Sequence, residues 1–103
     1  MTLEECREVY KRIETVAERL RETNDIAVAR ELIATCEGWR PKLSGKFGNI
    51  AGQLHHLVEA ARQYIKREGD LEKGSGGLHT GLSRLNMAIG VHERAERLSR
   101  DGI

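Results

Sequence analysis

Aromatic side chains are scarce in this chain: Trp39, Phe47, Tyr10 and Tyr64 are the full set among 103 residues. A core with so few rings must be filled by Leu, Ile, Val and Ala, which suits helices packed close together. Proline is scarcer still. Pro41 stands alone, so almost nothing interrupts a helix, because an interior proline removes a hydrogen bond and breaks the element. The two cysteines, Cys6 and Cys36, have no Cys-x-x-Cys spacing, which speaks against a disulfide framework or zinc site and for two buried, reduced thiols. Acidic and basic residues nearly cancel, leaving +1. That excludes coating nucleic acid by bulk charge, though not a local basic patch. No apolar run approaches the roughly 20 residues that span a bilayer, and Met1-Thr2-Leu3-Glu4-Glu5 is too acidic for a secretory leader. A single domain over 1–103 and a cytoplasmic location are therefore expected.

What the chain does have is helical periodicity. Thr2 followed by Glu5 is a capping-box signature, and Leu3, Cys6, Tyr10, Ile13, Ala17 and Leu20 then step by three and four. This predicts an amphipathic helix over about 2–22. Asn24-Asp25 offers a break and a new N-cap; Ile26, Ala29, Ile33 and Cys36 predict a helix over about 25–37, closed at Gly38 by a left-handed cap. The short connection folds these two helices into an antiparallel hairpin. Leu43, Phe47, Ile50, Leu54, Leu57, Ala61 and Tyr64 step four-three without a miss. Two solutions fit this stretch. Either a helix begins at Pro41 and tolerates Gly45, Gly48 and Gly52, or residues 39–48 form a loop and the helix begins near Asn49. The unbroken stripe favours the first, a helix over about 41–68, frayed before Asn49 and stopped at Gly69. The stretch 70–77 is the plainest loop. A last helix is expected over about 78–99, with Leu78, Leu82, Leu85, Ile89 and His92 in one stripe and Ala88, Val91, Ala95 and Leu98 beside it. The fold class is all-α, a four-helix up-down bundle. Its long stripes exceed what a short second helix can cover, so self-association into a homodimer or higher oligomer is expected.

Few local features go beyond what this fold requires. Gly45, Gly48 and Gly52 recur at helical spacing, which fits close helix packing better than a phosphate cradle. Trp39, Arg40, Lys42, Lys46 and Phe47 put basic groups beside flat rings, a pattern able to attract phosphates and stack a base. The Gly-rich run 74–77 leads into a helix whose first turns carry His79, Thr80 and Arg84, and a helix N-terminus offers free N–H groups to an anion. In an up-down bundle these two regions lie at opposite ends, so they converge only across a subunit interface. His55 with Glu59 and His92 with Glu96 are i, i+4 pairs, but no Glu-x-x-His, His-Glu-x-x-His or Cys/His cluster accompanies them, so no metal site is expected. No nucleophile elbow or paired-carboxylate site is present. Arg84 and His92 are separated by seven residues, longer than the four to six a helical ribonuclease of that pattern would use. His92 reads as a hydrogen-bonded histidine on a core stripe.

The sequence thus predicts a non-enzymatic binding protein without a cofactor. Its expected ligand bears phosphate, a nucleotide or nucleic acid, held by Trp39, Arg40, Lys42, Lys46, Phe47, His79, Thr80 and Arg84. The alternative is a protein–protein adaptor or assembly subunit that touches no nucleic acid and works through its apolar helix stripes.

Overall fold

The computed structural model describes residues 2–43, 45–66 and 76–101, apart from the side chains of residues 46, 100 and 101. The expected stop at Gly69, the last residues of the third expected helix and the loop before residue 76 lie outside the described residues. Among those described are four α-helices and no strand: α1 (Leu3–Thr23), α2 (Ile26–Trp39), α3 (Gly48–Lys66) and α4 (Gly76–Asp101), with 3₁₀ turns at Arg40–Lys42 and Gly45–Phe47. Consecutive helices pack on one another, and α4 returns against α1 to close the ring, more thinly than at the other seams. This is an all-α four-helix bundle.

The first connection is held by side chains as well as backbone. At the start of α1, Thr2 Oγ1 accepts from the Glu5 N–H at 3.2 Å while Glu5 Oε1 accepts from the Thr2 N–H at 3.0 Å, so two otherwise orphaned donors are satisfied. At its end Asn24 adopts a left-handed conformation, φ 54°, and its N–H donates to Leu20 O at 2.8 Å. Asp25 then caps α2, accepting from the Ala27 N–H at 2.8 Å. The buried Tyr64 hydroxyl donates to Asn24 Oδ1 at 2.7 Å, which ties the far end of α3 to this turn. Inside, Ile13, Ala17, Leu20, Ala29, Leu32, Leu54, Leu57 and Val58 are closed to solvent.

Three local expectations are corrected. First, α2 does not stop at Gly38. It runs through to Trp39, with the Arg40 N–H still donating to Cys36 O. The stop is Pro41, which has no N–H to continue the ladder. Second, the third helix starts at Gly48 and not at Pro41. Gly45 sits at φ 72°, a left-handed conformation that ends any right-handed helix built from Pro41. Leu43 and Phe47 are nevertheless buried. The apolar stripe therefore reported burial correctly while its backbone is two 3₁₀ turns. Third, Gly45, Gly48 and Gly52 mark no close approach, for a Cβ at any of them would meet nothing within 4 Å. The close approach is at Gly81 on α4, where a Cβ would lie 2.9 Å from Leu57 Cδ2 and 3.2 Å from Cγ. The last helix spans the expected 78–99 and extends it at both ends.

This contrast sets opposite outcomes for the same substitution. Gly52→Ala, exposed in mid-helix, should stabilise by about 0.5–1 kcal/mol through helix propensity. Gly81→Ala gains the same propensity but forces the fully buried Leu57 out of place, at about 1–3 kcal/mol. Thermal denaturation should therefore show a raised Tm for Gly52→Ala and a lowered Tm for Gly81→Ala.

Candidate functional site

The basic aromatic segment sits where α2 turns into α3, and its groups are largely committed to one another. Trp39 is half-buried, and the Lys42 Nζ stands over its ring, 4.7 Å from the centroid. That ammonium occupies the ring face on which a base would stack. Arg40 Nη1 donates to Glu37 Oε2 at 3.2 Å, and Glu37 lies 3.7 Å from Arg62 Nη2 on α3. Phe47 is 4% exposed, packed edge-on against the His92 ring at 5.2 Å, so it belongs to the core. The Lys46 side chain lies outside the described residues. His92 Nε2 is 2.8 Å from Asn49 Oδ1, which joins α4 to the start of α3.

The other expected residues, His79, Thr80 and Arg84, are exposed on the first turns of α4. His92 marks where α4 passes the basic segment. Arg84 is eight residues and His79 thirteen residues away, about 12 and 20 Å along the helix. One chain therefore does not bring the two halves of the expected phosphate site together.

Between α1 and α4 a groove of about 510 Å³ opens, lined by acids and bases of both helices. Its floor is spanned by Arg7. The guanidinium Nη2 donates to Glu93 Oε1 at 2.6 Å, Nε to Oε2 at 3.3 Å, and Nη1 to Asn86 Oδ1 at 2.6 Å. The hydrogen bonds from Arg7 hold the Glu93 carboxyl below its ordinary value of 4.5. Such a forked pair fixes the seam geometrically.

Among the described residues, no charged or polar side chain other than the two thiols and Tyr64 is buried in the interior. Cys36 is buried, and that burial, with the adjacent Glu37 charge, pushes its thiol up to about 12; a thiol is a nucleophile only as thiolate. Cys6 is also a buried thiol. His55 and His56 stand side by side on the exposed flank of α3, ring centroids 6.2 Å apart. Among the described residues no three His, Cys, Asp or Glu side chains converge, and no helix is long and apolar enough to cross a membrane.

The feature that stands out lies on α4. Met87, Val91 and Leu98, 66%, 57% and 62% exposed, are the large apolar side chains turned to solvent among the described residues. All three are on this one helix. Val91 and Leu98 belong to a stripe legible in the sequence; Met87 was missed, although the run 84, 87, 91, 94, 98 is a three-four series that could have flagged it. Compared with family models, with curated proteins and with solved structures, the chain matches none.

The Arg7–Glu93 pair gives a pH test of the α1–α4 seam. A carboxyl with a depressed pKa contributes stability that is present above its ordinary value and is lost as pH falls through the folded one. Glu93→Gln should therefore lower the urea midpoint at neutral pH, and its gap from the parent chain should close at pH well below 4.5.

Proposed function

We propose that this protein is a non-enzymatic protein–protein assembly module that associates through the outer face of α4. The observation that carries this reading is the confinement of Met87, Val91 and Leu98 to one exposed helix face. Scattered exposed leucines need no explanation, but an aligned set on one helix is the usual form of a helix-docking surface. Burying such a side chain fully is worth about 1.5–3 kcal/mol. Three together come to the order of the 4–15 kcal/mol that association costs, so a working interface needs polar groups as well.

A phosphate-ligand role through the basic segment has less support. Phe47 is in the core, Lys42 covers Trp39 and Glu37 engages Arg40, while His79, Thr80 and Arg84 lie too far along α4 to join them. Self-association, expected from the stripes, is one form that assembly through α4 can take.

Two measurements separate these readings. A photo-crosslinking residue at position 87 should yield protein adducts, to a second copy or another chain, that disappear with Leu98→Glu. Nucleotides and short RNA or DNA should leave the Tm unchanged. A Tm rise with an oligonucleotide that is abolished by Lys42→Glu, in the absence of adducts at position 87, would overturn the assembly reading.

A further inference from the structure

The outer face of α4 is basic as well as apolar. At about 100° per residue, Arg84, Met87, Val91, Arg94 and Leu98 fall within about 80° of one another, opposite Leu82, Leu85 and Ile89, which face the core. Arg84 and Arg94 are exposed, and neither forms an ion pair among the described residues. The carboxylates of this stretch are turned the other way. Glu93 is held by Arg7 on α1, and Glu96 lines the α1–α4 groove. Along this stretch Glu93, Glu96 and Arg97 turn toward α1, while Arg84 and Arg94 turn to solvent on either side of the apolar spine and pair with no carboxylate among the described residues.

Resting on the assembly reading above, we infer that the occupant of this face is an amphipathic helix of another protein whose apolar stripe is flanked by glutamate or aspartate. Charge complementarity selects it. A second copy docked by the same face would bring four guanidiniums, Arg84 and Arg94 of each copy, into one interface with no carboxylate between them among the described side chains. Shape selects a helix over a lipid surface. The neighbouring positions are Ala88, Gly90 and Ala95, which offer little apolar area to lipid but let another backbone approach closely. A Cβ at Gly90 would meet nothing within 4 Å, so the space beside it is open. From Arg84 to Leu98 the face is about 21 Å long, which matches four turns of a partner helix.

The test uses the full chain and three probes: a designed helical peptide of about 20 residues with Leu on one face and Glu on both flanks, the same peptide with Lys for Glu, and vesicles of phosphatidylcholine containing phosphatidylserine. Fluorescence anisotropy should show the Glu peptide binding at least about tenfold more tightly than the Lys peptide, and more weakly as salt rises. Arg84→Glu with Arg94→Glu should invert that preference, Val91→Asp should abolish binding, and Gly90→Leu should weaken it. All these positions face solvent or open space, and circular dichroism confirms that each variant folds. Absence of a preference for Glu over Lys, or binding that survives Val91→Asp, overturns the inference. Self-association that requires Val91, with both peptides inert, overturns it while leaving the assembly reading standing. Vesicle binding strengthened by Gly90→Leu, without binding of either peptide, overturns both.

Discussion

Helices of 21, 14, 19 and 26 residues share one interior here, and a bundle core can be no taller than the walls on all its sides. The 14-residue α2 is about 21 Å long and the 26-residue α4 about 39 Å. The rest of the architecture follows from that inequality. Below the end of α2 the core is finished by two 3₁₀ turns, which swing Leu43 and Phe47 under it. Past that level α4 runs beside the start of α1 across the groove, and each side chain from residue 94 to 99 is exposed. The outer face of α4 carries Met87 and Val91 beside the core and Leu98 on the stretch beyond it.

Two polar clamps hold the unequal helices in register. At one end the left-handed Asn24 both closes α1 and receives the Tyr64 hydroxyl, so a single turn residue ties α1 to α3 while its neighbour Asp25 caps α2. Near the other end Arg7 forks onto Glu93. The ring is thinnest where α1 meets α4, and there this charge-assisted pair bridges the two helices. A polar seam has directional geometry, which sets the rotation of α4 about its axis and hence which of its residues look outward.

Much of this was legible in the sequence, for identifiable reasons. The Thr2–Glu5 cap, the Asn24-Asp25 turn and the three-four stripes are encoded within a few residues of one another, and local chemistry decides them. Leu43 and Phe47 show the limit of periodicity: it announced burial, but the left-handed Gly45 decided the backbone. The glycine spacing at 45, 48 and 52 misled because close approach depends on the facing helix, and the facing residue, Leu57, selects Gly81 instead. The candidate site fared similarly. Lys42, Trp39 and Arg40 are adjacent in sequence, but whether a cation faces water, a ring or a carboxylate is settled by side chains that meet only after folding. The outward arginines of α4 became interpretable only once Glu93 was seen to be spent on Arg7.

Gly81 and Leu57 have a further significance for how this chain can change over time. Each occupies space that the other has vacated: the absent side chain at 81 is filled by the branched end of leucine at 57. A larger residue at 81 becomes acceptable only after 57 shrinks, and a smaller residue at 57 leaves a hole until 81 grows. Descent should therefore move the two positions as a pair, large with small, even though they lie 24 positions apart in the chain. Gly48 and Gly52, which face open space, are free to drift alone.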